Sequence, residues 1–400
     1  MKKTLLLLGG SAQQVVAIDT AKRLGYKTIL CDYLPDNPGQ YHADLFYQTS
    51  TTDKEAVLEI AQKEKIDGIV AYASDPAAPT AAYVAEQLGL AGNPSGSVET
   101  LCNKDLFRCF LLENGFHAPQ SGGYTDMASA MGDLDRFRLP VIIKPVDSSG
   151  SKGVTVLRQW TQIEDALQFA FSFSRNNRVI IEEFIEKSHP YLIGGDIFVL
   201  DGNVVLWGLM NCHRDENVNA LVPVGKSYPP DLTANDLASV KQTLQEIVSK
   251  LQIRCGAMNV ELIVDQDGRV FPIDIGPRNG GNMIPVLLEY IWGVDIVELT
   301  IKAAMGEPVS LAGGEGIPYY ATHNLHCDRS GIFENIEFSQ ALTPYIVRKH
   351  IYKKPGDSVE YFDNAEKALG IVFLRFHNPQ EMHEILSQIN DHIHVVLKGD

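Results

Sequence analysis

Residues 141–154 read VIIKPVDSSGSKGV: an apolar run of strand length delivers Lys144, a loop of small residues follows, and the chain returns into a second strand. The β-branched residues Val141, Ile142 and Ile143 suit a pleated, buried backbone. Glycine and serine let a backbone approach phosphate oxygens closely and turn amides towards them, while Lys144 and Lys152 add positive charge. This is not a P-loop, because the GxxxxGK[ST] spacing is absent and a strand rather than a helix comes next. On this segment alone, a hairpin with solvated lysines is the plainer alternative.

Further along, AMNVELIVDQDGRVFPIDI at 257–275 has the pattern of a hairpin turning at Asp267-Gly268. Glu261 and Asp274 then lie on opposite arms, each six positions from the turn. Two carboxylates on facing strands repel unless a hard cation lies between them. Magnesium prefers such oxygen ligands, keeps some of its waters and is completed by substrate phosphates. Carboxylates turned to solvent are the alternative, but Asp274 stands in the apolar run FPIDIGP, where an unpaired charge is costly. Between the two segments, IIEEFI at 180–185 ends a strand in acids beside Phe184 and Ile185. Such an end offers backbone groups to a purine edge and a carboxylate to ribose hydroxyls, although surface strands often end this way.

Working towards the N-terminus, TLLLL (4–8), KTILC (27–31) and GIVAY (68–72) read as buried strands separated by helices over 14–24 and 52–63. Short apolar runs alternating with helical patterns are the mark of βαβ units and a parallel sheet. The turn LGGSAQQ lacks GxGxxG spacing, so an ordinary strand-to-helix turn outweighs a dinucleotide site and hydride chemistry. Two short helices fit 97–116; strands at 139–145, 153–157 and 178–184 enclose a helix over 162–173. A hairpin through Asp201-Gly202, a helix over 234–251 and helices over 282–291 and 295–305 follow. The remainder reads as short strands with a helix near 381–390. This divides the chain into an N-terminal βαβ domain (1–95), α+β units at 96–186 and 187–308, and a C-terminal α+β domain (309–400).

The chain of 400 residues is 45% apolar with a net charge of −16, which opposes both nucleic acid and anionic lipid as partners. The opening MKKTLLLLGGSAQQ has an apolar run too short for a secretory signal, and no later stretch approaches the roughly 18 apolar residues of a membrane span. Six cysteines without CxxC spacing suit reduced thiols, so a cytoplasmic location is expected.

Lys104, Lys144 with its SSGSKGV loop, EEFI, NVELIVDQDG and IDIGPRNGG occur in an order and spacing that resembles the ATP-grasp superfamily over residues 1–308. The tail, with GIFENIEF, PGDSV and ALGIVFLRF, is similar to the C-terminal domain of stand-alone amino-acid ligases and of carbamoyl-phosphate-synthase-like and purine-pathway members. The resemblance implies a Rossmann-like N-terminal parallel sheet, an ATP-grasp fold of two α+β subdomains, and a small C-terminal α+β domain. It implies ATP and Mg2+ (or Mn2+) as cofactors. Lys104 and Lys144 match the lysines that hold nucleotide phosphates, and Ser148, Ser149, Gly150, Ser151, Lys152 and Gly153 match the lid. Glu182, Glu183 and Ile185 match the adenine hinge, Glu186 the ribose acid, and Glu261 and Asp274 the metal ligands. Lys144 and Arg278 match catalytic groups.

Two departures stand out: Asp274 replaces a commoner glutamate, and Gly276 stands where an asparagine often completes the metal shell, which leaves Asn279 or Asn282 as substitutes. The implied activity is an ADP-forming ligase that joins a small-molecule carboxylate to an amine through an acyl phosphate. A carbamoyl-phosphate-synthase-like or purine-biosynthesis enzyme and a non-catalytic nucleotide-binding regulator are the alternatives. A homodimer is compatible with the resemblance. His189, His213, His323 and His326, with Arg214, are further polar candidates for substrate contact.

Overall fold

The computed structural model describes residues 2–148, 151–311 and 316–399. The N-terminal part alternates strands β1 (Thr4–Leu8), β2 (Lys27–Asp32), β3 (Leu45–Gln48) and β4 (Gly68–Val70) with helices α1 (Val15–Arg23), α2 (Lys54–Glu64) and α3 (Ala78–Leu88). The strands pair in parallel in the order β3-β2-β1-β4. Leu5 to Leu8 are buried on both faces, as a doubly covered parallel strand requires. Strand β3 was not anticipated: it is a four-residue edge strand too short to carry a pattern.

The turn after β1 spends its amides internally. Gly9 donates to the Cys31 carbonyl (2.9 Å), Gly10 to Asp32 Oδ2 (2.7 Å) and Ser11 to Gln14 Oε1 (2.8 Å). With its donors occupied and a carboxylate against it, this turn is a poor phosphate cradle, which agrees with the ordinary-turn reading.

Helices α4 (Ser95–Cys102) and α5 (Lys104–Glu113) lead to a second sheet of β5 (Ser121–Tyr124), β6 (Val141–Pro145), β7 (Thr155–Leu157) and β8 (Val179–Glu183), ordered β5-β8-β6-β7. Helix α6 (Met127–Gly132) follows β5, and α7 (Ile163–Phe173) covers one face, burying Ile163, Ala166, Leu167 and Ala170 against Val141, Ile143 and Ile181.

The third sheet is built from β9 (Leu192–Leu200), β10 (Asn203–Asp215), β11 (Asn219–Tyr228), β12 (Cys255–Val264), β13 (Val270–Gly276), β14 (Tyr320–Leu325), β16 (Ile346–Ile351) and β18 (Gly370–Arg375). Its order is β13-β12-β9-β10-β11-β14-β18-β16, so it runs unbroken across residues 308 and 309. One face packs Ile193, Leu209, Met258 and Val260 on α8 (Ala234–Lys250); the other packs Phe198 and Met210 on α9 (Ile284–Trp292), which precedes α10 (Ile296–Ala304). Strand β11 was also unforeseen, because Pro223 interrupts its pattern. A small sheet of β15 (Gly331–Phe338), β17 (Ser358–Val359) and β19 (Ile393–Leu397) and helix α11 (Pro379–Ser387) complete the chain. Among the described residues no helix is long and apolar enough to cross a membrane.

Candidate active site

Antiparallel pairing of β6 with β8 sets Ile142 opposite Glu182 and Lys144 opposite Ile180, so Lys144 and Glu182 project from the same face. The Lys144 ammonium lies 2.5 Å from Glu182 Oε2, and Arg108 Nε lies 2.6 Å from Oε1. Burial would push the Glu182 carboxyl up, but Arg108 and Lys144 override it and hold its pKa down at about 2. Burial also lowers the pKa of Lys144, against the attraction of Glu182.

The Glu182 carboxylate is thus the internal counter-ion of Lys144 and Arg108. Glu183 accepts from the Arg138 amide at 2.8 Å, while Ile185 is half-buried and Glu186 exposed. Arg108, 1% exposed, was missed, and it also donates to the carbonyls of Ile273 (2.7 Å) and Pro272 (3.4 Å) beside Asp274. The available signal was its helical spacing of four from Lys104, which puts both cations on one face of α5.

Lys104 begins α5. Its ammonium donates to the Ser148 carbonyl at 2.9 Å and lies 3.4 Å from Asp274 Oδ2. It therefore touches both the lid loop and the hairpin of acids. The described residues of this loop, the expected lid, are docked: Ser148 Oγ donates to the Lys152 carbonyl (2.9 Å), Ser151 Oγ to the Leu221 carbonyl (2.8 Å), and Lys152 meets Glu366 at 2.6 Å. Gly153 takes a positive φ of 71°, where a Cβ would stand 2.9 Å from Phe173 and Pro145. Ser149 and Gly150 lie outside the described residues.

Glu261 and Asp274 are register partners on β12 and β13, as the turn count predicts, with a bulge after Glu261. Asp274 is not enclosed by its apolar neighbours: its side chain is 42% exposed. The bulge changes the alternation, which is how a carboxylate in an apolar run reaches solvent. Glu261 gives Oε1 to Arg214 at 3.0 Å, on the adjacent face of β10. Two facing carboxylates, one open to the cleft, make a hard all-oxygen donor set that fits magnesium.

The glycine at 276 has a packing reason. A Cβ there would lie 2.3 Å from Asp75 Oδ1 and 3.0 Å from Arg278 Nε, because the Asp75–Arg278 pair lies over it. Arg278 donates through Nε to Asp75 Oδ1 at 2.7 Å, through Nη2 to Oδ2, and through Nη1 to the Asn279 carbonyl at 2.9 Å. Burial disfavours the guanidinium charge, yet Asp75 holds its pKa above the ordinary value; Asp75 in turn is held low by Arg278 despite burial. Asn279 is fully buried and commits its amide nitrogen to Thr300 of α10 (3.0 Å), and Asn282 donates its backbone amide to Gln13 (3.1 Å).

The loop carrying Arg278 is tied down by Asp196, a buried residue of β9 that the sequence did not single out. Its two carboxylate oxygens accept from the Gly280 amide (3.0 and 2.8 Å), and Asn259 donates to one of them at 2.9 Å. Burial pushes its pKa up to about 6, against those hydrogen bonds.

Three of the four histidines come together: the His323 and His326 rings lie 5.4 Å apart, and His213 and His323 flank Gly225 on neighbouring strands. His213 bonds Ser227 Oγ (2.8 Å) beside the Tyr191 ring, and His326 bonds Asp215 (3.1 Å). Burial pushes His213 down to about 4 and His323 to about 3, leaving both neutral near neutral pH. Both ring nitrogens of His189 are buried without a hydrogen-bond partner among the described residues. Of the group, Arg214 alone reaches the acid pair.

Comparison with known proteins agrees with this geometry. The ATP-grasp domain family matches residues 137–286, which include Lys144, Glu182, Glu261, Asp274 and Arg278. A formate-dependent phosphoribosylglycinamide formyltransferase of Methanocaldococcus jannaschii is 26% identical over 383 residues, covering 92% of this chain and 93% of the relative. A carbamoyl phosphate synthase large chain of Clostridium beijerinckii is 24% identical over 400 residues. There the alignment covers 94% of this chain but spans only 35% of the relative. Among solved structures, an L-amino acid ligase from Bacillus licheniformis superposes with a TM-score of 0.82 at 20% identity, covering 100% of this chain and 99% of the other. Residues 137–286 thus match the ATP-grasp domain family, and the whole chain shares its fold with an L-amino acid ligase, with Lys104, Lys144 and the facing hairpin acids in one region.

Proposed function

We propose that this chain is an ADP-forming ligase that activates a small-molecule carboxylate with ATP and joins it to an amine. The observation that carries the reading is the convergence of Lys104 with Asp274 and the Ser148 carbonyl, because it brings a cation, the acid pair and the lid together at one point. Phosphoryl transfer is mainly positioning and charge neutralisation, so it needs no protein nucleophile.

Glu261 and Asp274 would hold magnesium, which supplies charge neutralisation along the phosphates when bound. Lys144 and Lys104 bind the nucleotide's phosphate oxygens, and Glu182 with Arg108 fixes where Lys144 can reach. Arg278, oriented on Asp75 and near enough to Asp274 to feel its charge, would assist the phosphate or the substrate. Each such charge is worth about 3 kcal/mol in the transition state. The lid excludes water from a hydrolysable acyl phosphate. The absence of an amide at position 276 does not favour a regulator without turnover, since the Asp75–Arg278 pair fills that space.

The test is a screen of carboxylates against amines that reads ADP and phosphate. With an active carboxylate labelled by heavy oxygen, one label must pass into the released phosphate. Release of AMP and pyrophosphate, or unlabelled phosphate, would refute the acyl-phosphate route, and no carboxylate-dependent ADP release at all would refute the ligase.

A further inference from the structure

Strand β13 leaves regular pairing just before Asp274. Across the hairpin Glu261 pairs with Asp274 and Leu262 with Pro272, so Ile273 is an inserted residue that β12 does not match. Pro272 has no N–H to give, and β13 is the outermost strand of its sheet, so the ladder holds this stretch from one side only. The insertion decides where Asp274 points, because a slip of one residue turns the following side chain to the other face.

Arg108 grips the inserted peptide from α5. Its Nη2 donates to the Ile273 carbonyl at 2.7 Å, and Nη1 makes the longer contact, 3.4 Å, to the Pro272 carbonyl. Its Nε donates to Glu182 Oε1 at 2.6 Å, and the other oxygen of that carboxylate lies 2.5 Å from the Lys144 ammonium. A guanidinium is planar and rigid, so the direction towards Glu182 and the direction towards the bulge are fixed relative to each other. With 1% of its surface exposed, Arg108 reaches a ligand only through these neighbours. A plain buried ion pair would need the acid alone; here the remaining nitrogens go to the two residues that precede Asp274.

We propose that Arg108 is a positioning residue that holds the metal acid and the phosphate lysine at a set separation, clamping the bulge before Asp274 with its terminal nitrogens and Glu182 with Nε. The inference rests on the ligase reading of this cleft and deepens it. One side of the clamp governs how Asp274 meets a cation, and the other governs where Lys144 meets a phosphate. Groups that orient a metal ligand from behind commonly change metal affinity by about 10- to 100-fold when altered.

Arg108→Lys separates the two sides. It keeps a cation for Glu182, but one compact ammonium cannot span the acid and the two carbonyls. Calorimetric titration of the intact protein with ADP, once in chelator and once in Mn2+, reads both sides without turnover. In the wild type Mn2+ is expected to tighten ADP. In Arg108→Lys the affinity in chelator should stay within about twofold, while the tightening by Mn2+ should shrink at least about tenfold. Arg108→Met should weaken ADP in chelator as well, since Glu182 then draws on Lys144 alone; the lysine variant carries the decision if the methionine variant does not fold.

Full tightening by Mn2+ in Arg108→Lys would overturn the proposal. So would a loss in chelator as large as the loss of the metal effect, or a lower melting temperature with both constants unchanged, which is the mark of a structural ion pair. A wild type whose ADP affinity ignores Mn2+ would remove the metal role of Glu261 and Asp274, and this inference with it. The expected binding results without carboxylate-dependent ADP release would sink the ligase reading alone.

Discussion

Asp75, in the loop after the last strand of the N-terminal sheet, holds the Arg278 guanidinium by two of its nitrogens. A residue of one sheet thereby sets the aim of an arginine carried at the exit of β13. Breaking a buried pair by removing one partner costs about 3–5 kcal/mol, because it strands the other charge. Asp75→Asn, which keeps the shape, is expected to lose at least about 2 kcal/mol of that in urea unfolding, together with turnover. A double-mutant cycle with Arg278→Met should recover part of the loss; no coupling would mean the two residues act independently.

Glu182 makes a prediction about acid. Its folded pKa of about 2 lies below the ordinary 4.5, so the stability it contributes is present above about pH 4.5 and drains away as pH falls towards 2. At neutral pH, Glu182→Gln should be less stable by about 3 kcal/mol, with Lys144 and Arg108 left uncompensated. That deficit should shrink as the pH is lowered through the window. A deficit that stays constant from about pH 7 down to pH 3 would show that Glu182 is not the counter-ion of these cations.

Asp274→Asn removes a hard ligand from a side chain that is 42% exposed. Stability should change by less than about 0.5 kcal/mol, while carboxylate-dependent ADP release falls at least about a hundredfold. An equally active variant, or full wild-type activity in chelator, would remove the metal assignment.

Gly276→Asn installs the side chain often found at this position in the family. Since its Cβ would lie 2.3 Å from Asp75 Oδ1, the substitution should destabilise the fold by about 1–3 kcal/mol and raise no activity. Thermal melting settles it: a variant as stable as the parent would show that packing of Asp75 and Arg278 is not why glycine is there.

What was legible in the sequence follows the range of each signal. The facing of Glu261 and Asp274 could be counted out from Asp267-Gly268, because a hairpin fixes register locally. Lys104 and Lys144 stand out through their place in an order of motifs that resembles the ATP-grasp superfamily. Asp75, Arg108 and Asp196 escaped because what defines them is a partner far along the chain: Asp75 is 203 residues from Arg278, and Arg108 is 74 from Glu182. The ion pairs of Glu182 were hidden for the same reason, since a strand-end glutamate shows nothing of the two cations beneath it.

The continuity of the large sheet bears on how its edge is protected. Strand β14 supplies the outer neighbour of β11, pairing Gly225 to Tyr228 with Tyr320 to His323. A chain cut after residue 311 would bare that rim, with its amides and carbonyls free to template pairing with other copies. In the intact protein the rim is moved outward to β16, whose Arg348 and Lys349 make it a repellent border. The C-terminal strands thus act as a colloidal guard for β11 and the strands behind it, and trimming them should produce self-association before it produces unfolding.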